Sequence, residues 1–371
     1  MTSQRLWGAT LALILAGAVA AGRAADMTVG TPDWKSVGSL AFGPDGLLFV
    51  GDSQGGAVFA VETGDRTMDS ASDSIAVAGL NEKVAGLLGI EARDMLINDM
   101  AVNPASGRVY LSVARGRGPT AAPVLVRVDR SGKIEVVSVE KVPFRKAMLT
   151  NVPAEGAGQP AAKKGPGGGS SRSQAITDLA YVDGRVYVAG LSNEEFSSRL
   201  VSIPYPFAEV NGGTSVEIFH GAHGRLETRS PIRTFASYKI HGEPYLMAAY
   251  TCTPLVKVPV AALKPGAHFK GTTVAELGNR NNPLDMVVYQ KDGKDFILLA
   301  NSSRGVMKIS TDGVAEAPSI ADRVADTAGL PYQKVTEMKG VVQLDGLDKT
   351  HALVLVQKEG GALDLETVPL P

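Results

Sequence analysis

The sequence is short of cysteine, of aromatic residues and of excess charge of either sign. One cysteine, Cys252, among 371 residues excludes an intramolecular disulfide, so stability has to come from an apolar core. A formal net charge of −1 gives no overall basic field, and we predict no nucleic-acid partner. Aromatic residues make up 6% and there are 42 glycines, a composition that favours many short elements joined by turns over long helices.

Long apolar runs are also scarce, and the one near the N-terminus is too short for a comfortable membrane span. Arg5 precedes the apolar run Leu11–Ala21, and small residues follow it, which is the pattern of an export signal. We therefore predict a signal peptide over residues 1–25 and a mature chain over residues 26–371 without a membrane span. The predicted location is periplasmic or extracellular, and an uncleaved membrane anchor is the alternative.

A degenerate repeat runs through the rest of the sequence. Each unit has a short apolar strand, a turn with Gly or Pro, and a second apolar strand, as in Ser39–Val50, Asp99–Leu111 and Asp178–Val188. The six units begin at residues 39, 99, 178, 234, 285 and 340. Four short strands per unit at this spacing are typical of a propeller blade. We predict an all-β chain that forms a six-bladed β-propeller with four-stranded antiparallel blades in a single domain.

Two details of the propeller follow from the lengths of the units. The sixth unit reaches the C-terminus after three strands, so we expect Met27–Val29 to supply its fourth strand and close the ring. In the first unit the expected fourth strand is Ser74–Ala78. The longest spacing contains residues 151–174, rich in Gly, Pro, Ala, Ser and Lys, which predicts a flexible insertion between the second and third blades. Two roles are possible for this insertion, a disordered spacer and a lid over the channel mouth.

The run Leu47-Leu-Phe-Val-Gly-Asp-Ser53, followed by Ala57–Val61, carries a family resemblance together with Asp178-Leu-Ala and Asp285-Met-Val. These segments resemble the NHL and SMP-30-type six-bladed propellers over nearly the whole mature chain. The resemblance implies the same fold in a group that includes metal-dependent lactonases, esterases, sensor domains and binding scaffolds. In SMP-30-type enzymes Glu, Asn and Asp hold a metal at the channel mouth, whereas Ser39 stands at the start of the first inner strand here.

Propeller topology places the start of each inner strand and the turn between the second and third strands on one face. On this face we predict ligand contacts from Ser39, Asp52, Arg115, Asn193, Cys252 and Arg304. Inner-ring carboxylates that meet there repel each other unless a cation or hydrogen-bond donors compensate them. Asp99, Asp178, Asp285 and Asn301 form an oxygen set that suits calcium. Strand capping by these aspartates, through backbone N–H groups, is the alternative.

Two functions are compatible with this face. The first is an exported propeller that binds a small molecule or a protein partner at its channel mouth. The second is a calcium-dependent hydrolase of the lactonase or esterase type, in which the metal activates water and Asp178 or Asp285 acts as base. Whether the chain is an enzyme stays open, and we expect a monomer. We interpret His220-x-x-His223 as a surface loop, and the alternative is a pair of transition-metal ligands that would need further ligands. We interpret Cys252 as a small apolar residue, with a thiol nucleophile as the alternative.

Overall fold

The computed structural model describes residues 27–69, 74–155, 171–208, 210–252 and 254–371. Nearly all of its regular structure is β, and six antiparallel sheets surround a central channel as the blades of a six-bladed propeller. The predicted fold is confirmed. The predicted signal peptide and most of the predicted insertion lie outside the described residues.

The strands are short and evenly distributed along the chain. In chain order they are β1 (Thr28–Gly30), β2 (Leu40–Phe42), β3 (Leu47–Asp52), β4 (Ala57–Glu62), β5 (Ala76–Val77), β6 (Met95–Val102), β7 (Val109–Arg115), β8 (Ala122–Val128), β9 (Ile134–Val136), β10 (Val142–Met148), β11 (Asp178–Val182), β12 (Arg185–Leu191), β13 (Ser198–Pro204), β14 (Thr214–His220), β15 (Arg225–Glu227), β16 (Ile232–Ile240), β17 (Glu243–Tyr250), β18 (Pro254–Pro259), β19 (His268–Lys270), β20 (Thr272–Leu277), β21 (Pro283–Lys291), β22 (Lys294–Asn301), β23 (Gly305–Ser310), β24 (Thr327–Gly329), β25 (Tyr332–Val335), β26 (Val341–Gly346), β27 (His351–Gln357) and β28 (Leu363–Pro369). The helical segments are α1 (Leu80–Leu88) and short 3₁₀ turns at Pro44–Gly46, Ala92–Asp94, Gly118–Thr120, Ser171–Gln174, Val260–Ala262 and Glu359–Gly361.

Blades are numbered here by the position of their innermost strand along the chain. From channel to rim, blade I is β2-β3-β4-β10-β1, blade II is β6-β7-β8-β9, and blade III is β11-β12-β13-β14-β15. Blade IV is β16-β17-β18-β20-β24, blade V is β21-β22-β23-β25, and blade VI is β26-β27-β28-β5. The short strand β19 adds in parallel to β14. Each blade therefore has four antiparallel strands, and blades I, III and IV carry extra strands at the rim.

The burial of each strand reflects its place in a blade. Strand β3 is buried along its whole length because neighbouring blades cover both faces of its sheet, and its sequence is accordingly a nearly continuous apolar run. The rim strand β14 instead alternates, with Val216 and Ile218 buried and Glu217 partly exposed. This difference explains why apolar runs marked the inner strands in the sequence while the rim strands were harder to place.

The blades do not follow one another around the ring in chain order. Six apolar cores lie between neighbouring blades, and they join I to III, III to IV, IV to V, V to VI, VI to II, and II to I. Blade II therefore lies between blades VI and I. Tyr110 of blade II packs edge-on against Phe42 of blade I, with ring centroids 5.1 Å apart. On its other side, blade II shares a core with Leu353 and Leu355 of blade VI.

The segment from β5 to β9 is inserted between the third and fourth strands of blade I, and it closes the ring. Strand β5 lies at the rim of blade VI, where Val77 pairs with Leu365. The chain then builds blade II and returns to blade I through β10, where Ala147 pairs with Val58.

Three expectations about connectivity need correction as a result. The expected closing strand Met27–Val29 is wrong, because β1 pairs with β10 in blade I and not with blade VI. The expected fourth strand of the first unit, Ser74–Ala78, contains β5, which belongs to blade VI. Residues 151–174 follow β10, a strand of blade I, and not the last strand of blade II. The insertion therefore connects blade I to blade III, and not blade II to blade III as expected.

Helix α1 holds β5 against blade II. Its residues Leu80, Val84 and Ala85 are buried in the core between blades II and VI. The helix ends where Gly89 adopts a left-handed conformation with φ of 66°, and the Gly89 N–H reaches the carbonyls of Ala85 and Gly86. Among the described residues α1 is the one α-helix, and no helix has the length and apolar character needed to cross a membrane.

Ring closure by β5 can be tested with two conservative substitutions. We expect Val77→Ala to lower the free energy of unfolding by about 2 kcal/mol, since it removes apolar contacts and leaves a cavity. Val77 is 3% exposed, whereas Val29 in β1 is 66% exposed. Val29→Ala should therefore change the free energy of unfolding by less than about 0.5 kcal/mol. Urea unfolding measures both values, and the opposite ranking would contradict closure by β5.

Candidate functional site

The inner strands of four blades carry a β-bulge where they enter the channel. The register shifts between Ile97 and Asp99, and likewise at the starts of β16, β21 and β26. The residues inserted at these bulges are Asn98, Arg233, Leu284 and Val342. A bulge turns a side chain away from the regular alternation of a strand. Both polar members, Asn98 and Arg233, line a cavity at this end of the channel.

Acidic and non-acidic residues alternate around the ring just inside these bulges. Asp99, Asp178 and Asp285 belong to blades II, III and V. Their counterparts on the intervening blades I, IV and VI are Ser39, Thr234 and Gln343. The predicted convergence of three carboxylates on the channel is therefore present, with one carboxylate on every second blade.

Each of these aspartates links two neighbouring blades through backbone amides. Asp178 Oδ1 accepts the N–H of Leu179 at 2.8 Å, and Oδ2 accepts the N–H of Phe235 in blade IV at 2.7 Å. Asp285 Oδ2 of blade V accepts the N–H of Leu344 in blade VI at 2.9 Å. Asp99 Oδ2 of blade II accepts the N–H of Leu40 in blade I at 2.6 Å. Both oxygens of each carboxylate thus have a hydrogen-bond donor, as expected for strand capping.

A fourth aspartate, Asp345, repeats this link one step further along the channel. Its Oδ1 accepts the N–H of Gly346 at 2.7 Å, and its Oδ2 accepts the N–H of Val102 in blade II at 2.8 Å. Asp345 was not among the carboxylates predicted from the sequence to reach the channel, because it stands in the dipeptide Asp345-Gly346. The dipeptide is a frequent turn signal, so the residues alone gave no reason to place the carboxylate inside the channel.

Burial raises the pKa of all four carboxyl groups. Loss of hydration is the largest cause in each, and neighbouring carboxylates add to it for Asp99 and Asp285. The pKa is raised to about 8 for Asp99, to about 7 for Asp178 and to about 6 for Asp345, while that of Asp285 is well above its usual value. Backbone amides oppose these shifts because they stabilise the charged forms.

The four residues predicted to bind calcium do not lie together. The three aspartates line a channel cavity of about 330 Å³, whereas Asn301 is not among its lining residues. Asn301 is buried elsewhere, where its Oδ1 accepts Asn281 Nδ2 at 3.1 Å and its Nδ2 donates to the carbonyl of Leu299. Calcium takes about 6–8 oxygen ligands, and here the aspartate oxygens already accept amide hydrogens. Calcium binding by this set, and a catalytic role for Asp178 or Asp285, stay predictions.

A separate cavity of about 460 Å³ opens at the bulge end of the channel, and we call it the mouth cavity. Loops of blades I, II and III form most of its wall, and Arg233 of blade IV completes it. Its polar and charged lining residues are Lys35, Ser36, Ser39, Ser53, Gln54, Asn98, Arg117, Ser173, Gln174, Thr177 and Arg233. The described lining thus contains three cationic side chains and no Asp or Glu.

Two buried polar atoms of the mouth cavity lack a protein partner. Arg233 Nε and Gln174 Oε1 are both inaccessible and form no hydrogen bond to the described residues. Burial lowers the pKa of Arg233, and no carboxylate offsets this loss of hydration. The other two cations are engaged: Lys35 Nζ lies 2.9 Å from Glu155, and Arg117 Nε donates to the carbonyl of Arg93. Of the three cations, Arg233 is therefore the one that an added hydrogen-bond acceptor would stabilise most.

The six residues predicted to contact a ligand lie at different places. Ser39 lines the mouth cavity. Asp52 is buried beneath it, where it accepts the backbone N–H groups of Lys35 at 2.8 Å and Ser36 at 2.9 Å and so shapes the cavity wall. Arg304 pairs with Asp326 at 2.6 Å.

The remaining predicted contacts also lie outside the wall of the mouth cavity. Arg115 ends β7, and Asn193 lies in an exposed turn where its N–H donates to Asn151. Arg233, Gln174 and Lys35 were missed because the bulge and the loop conformations that aim them inward leave no periodic pattern in the sequence.

Cys252, the sixth predicted contact, has an unexpected neighbour. It lies beside His220, whose side chain is 2% exposed, so the interpretation of His220 as part of a surface loop is wrong. The interaction with His220 is the largest cause that lowers the pKa of the Cys252 thiol. Burial opposes protonation of His220, but Cys252 and Glu227 outweigh it and raise the pKa of His220 to about 9. The sequence analysis had placed no histidine near this thiol.

Comparisons with known proteins were made for families, for curated proteins and for solved structures. No family model and no curated protein matches the chain, so the resemblance to NHL and SMP-30-type propellers stays a prediction. A solved glucose dehydrogenase is 14% identical, with a TM-score of 0.36, over 93% of this chain and 99% of its own. A PQQ-bound aldose sugar dehydrogenase of Streptomyces coelicolor is 12% identical, with a TM-score of 0.35, over 92% and 96%.

Hydrazine synthase of Kuenenia stuttgartiensis is 13% identical, with a TM-score of 0.41, over 92% of this chain and 98% of its own. Similarity this low carries no conclusion about activity. Only the residues of the site indicate what the protein binds.

The channel carboxylates make a prediction about pH. Their pKa values are higher in the folded chain than in the unfolded chain, so the folded chain binds more protons near neutrality, and stability falls as pH rises. We expect the free energy of unfolding to decline from about pH 5 to about pH 8, and Asp99→Asn to make this decline shallower. Denaturant unfolding across this range measures both slopes.

Asp292→Asn, at an exposed turn, is the matched control and should leave the slope unchanged. An identical slope in wild type and Asp99→Asn would contradict the prediction. Calcium at millimolar concentration that removed the decline would instead support the metal interpretation of the channel.

Proposed function

We propose that this chain binds a small molecule bearing a carboxylate or phosphate group in the mouth cavity. The observation that carries the proposal is the buried Arg233 Nε, which has no hydrogen-bond partner among the described residues and belongs to a side chain that lines a cavity with three cationic residues and no acidic one among those described. A guanidinium without a carboxylate partner gains strong, charge-assisted hydrogen bonds from an anionic ligand. Gln174 Oε1 adds an acceptor for a hydroxyl or amino group on the same ligand.

The shape of the cavity supports a small ligand over a protein partner. A volume of about 460 Å³ lies within the range usual for small-molecule sites. The walls come from loops held by buried contacts: Asp52 fixes the segment of Lys35 and Ser36, and Ser53 Oγ donates to the carbonyl of Ile176 at 2.9 Å. Such a wall is largely formed before the ligand arrives, which reduces the entropy lost on binding.

A calcium-dependent hydrolase is the second candidate function. The observation in its favour is the group of channel carboxylates, whose mutual repulsion a cation would relieve. Their bonds to backbone amides favour the binding function, because a metal would have to share or displace those donors.

We also propose that the chain is exported and acts as a monomer. The support for export is the sequence pattern over residues 1–25, with Arg5 ahead of an apolar run and small residues after it. Mass spectrometry of the N-terminus, after expression in a bacterial host, tests export by revealing whether the first residues are removed. Light scattering tests the oligomeric state.

Binding at Arg233 is tested with two probes, succinate and inorganic phosphate, and with glucose as an uncharged comparison. We expect at least one anion to raise the melting temperature in a saturable way, and Arg233→Gln to weaken its binding by about 10-fold or more, equivalent to about 1.4 kcal/mol. Isothermal titration calorimetry gives the affinity, and the stronger of the two anions identifies the ligand class.

Arg304→Gln is the control, because Arg304 pairs with Asp326 and does not line the mouth cavity. It should bind the anion as wild type does. Equal binding by Arg233→Gln and wild type, or a response to glucose alone, would reject the proposal.

A further inference from the structure

A cluster of two histidines and the single cysteine lies between blades III and IV, apart from the mouth cavity. His220 ends β14 of blade III, His223 follows in the turn before β15, and Cys252 lies in the turn after β17 of blade IV. The ligating atoms of the three side chains all lie within 4.8 Å of one another. None of the three lines the mouth cavity.

The carboxylate of Glu227 contacts the Nδ1 atom of both imidazole rings. Glu227 Oε2 lies 3.0 Å from His220 Nδ1, and Glu227 Oε1 lies 2.6 Å from His223 Nδ1. Ser230 Oγ donates to the same carboxylate at 2.6 Å, so three side chains hold Glu227 in place. A carboxylate that accepts from Nδ1 orients the ring so that Nε2 is the atom available to a metal, which is the usual support for a metal-binding histidine.

The Nε2 atom of His220 is buried and unsatisfied. His220 is 2% exposed, its Nε2 has no hydrogen bond of ordinary geometry to the described residues, and the Cys252 side chain is the neighbour that interacts with its ring. A buried polar atom without a well-formed hydrogen bond is costly, and an ion shared with the Cys252 sulfur would supply the missing partner. The two imidazole rings lie with their centroids 4.0 Å apart, and each ring offers one nitrogen within 4.8 Å of the other two ligand atoms.

Backbone geometry brings the sulfur to this volume. Cys252 has a φ of 63°, a left-handed conformation that is uncommon for residues other than glycine, and its N–H donates to the carbonyl of Asn281 at 2.7 Å.

We propose that His220, His223 and Cys252 bind one transition-metal ion of the zinc or copper type. Two imidazole nitrogens and a thiolate are borderline-to-soft donors, which select zinc or copper over calcium and magnesium. Three protein ligands leave a fourth position for water or an exogenous ligand. His223 is 44% exposed on its side chain, which gives the ion a path from solvent.

The geometry needs only a small adjustment to take the ion. Tetrahedral zinc with nitrogen and sulfur ligands places its donor atoms about 3.3–3.6 Å apart, roughly an ångström closer than the upper limit observed here. Rotation of the half-exposed His223 and of the Cys252 side chain can supply this closure. The buried His220, held by Glu227, would stay in place as the fixed ligand.

Cobalt(II) is the first probe, because it replaces zinc and its thiolate complexes absorb light through charge transfer. After removal of metals from the purified full chain with a chelator, we expect one Co(II) per chain, a thiolate-to-cobalt absorption band, and displacement of the band by Zn(II) or by Cu(I) under reducing conditions. Competition between the last two identifies the preferred ion. Ca(II) should not displace cobalt.

Four variants separate ligands from their surroundings. Cys252→Ser should abolish the charge-transfer band, and His223→Gln should weaken zinc binding by about 10-fold or more. Glu227→Gln should weaken it by about 10- to 100-fold yet retain the band at saturation, since Glu227 positions the ligands and does not touch the ion. His268→Gln is the matched control, because His268 is a partly exposed histidine outside the cluster, and it should bind as wild type does.

Thermal melts of the metal-free variants show whether each variant still folds. If a substitution of a buried residue prevents folding, His223→Gln still tests the proposal, because His223 is half-exposed. The proposal is overturned if neither Zn(II) nor Cu(I) binds saturably, or if His223→Gln binds zinc as tightly as wild type. It is also overturned if iodoacetamide alkylates Cys252 rapidly and zinc does not slow the reaction, an outcome that would assign the cluster to a nucleophilic thiol. None of these outcomes depends on anion binding in the mouth cavity.

Discussion

The acceptance of backbone amides by buried aspartates is the interaction on which the inner ring depends. Asp99, Asp178, Asp285 and Asp345 each take one N–H from their own strand and one from the next blade. Inner strands of a propeller present unpaired backbone groups toward the channel, and these groups need partners. The carboxylates satisfy them and set the distance between blades at the same time. Because residues of four blades line the mouth cavity, the shape of this cavity depends on a constant distance between those blades.

The same carboxylates separate two electrostatic environments along one axis. The channel holds acidic groups whose pKa values are raised toward or above neutrality, so part of their charge is suppressed. The mouth cavity holds cations and no described acidic residue. If the channel carboxylates were all ionised, they would neutralise much of the positive potential a short distance away. Suppression of their charge would therefore preserve the positive potential that the proposed anion site at Arg233 requires.

Much of the fold could be predicted from the sequence because the relevant signals are local. Apolar runs such as Leu47–Val50, and glycine turns between them, mark the inner strands and their number. The blade order could not be predicted, because it depends on which edge β5 joins, and a two-residue strand carries no information about its partner. The prediction of Met27–Val29 as closing strand assumed that the blades follow one another around the ring in chain order.

The candidate site was predicted only in part, because a residue's position within the repeat is a local signal whereas its contacts with another blade are not. Position in the repeat was enough to bring Asp99, Asp178 and Asp285 to the channel. It was not enough to bring His220 to Cys252, since these residues come from different blades and pair through a rim strand and a turn. Arg233 escaped notice because one inserted residue at a bulge reverses the side on which a side chain lies.

The place of blade II in the ring has a consequence for how the protein is made. Helix α1 and β5 leave the ribosome well before Leu353, Leu355 and Leu365, which share a core with Leu80 and Val84. Blade II can cover part of the apolar face of α1 soon after it is made, but the part that blade VI covers has no native partner until that blade is synthesised, and the ring stays open at one seam. Synthesis of blade VI is thus coupled to completion of this core, so a nascent chain that lacks blade VI exposes a hydrophobic surface that holdase chaperones can recognise.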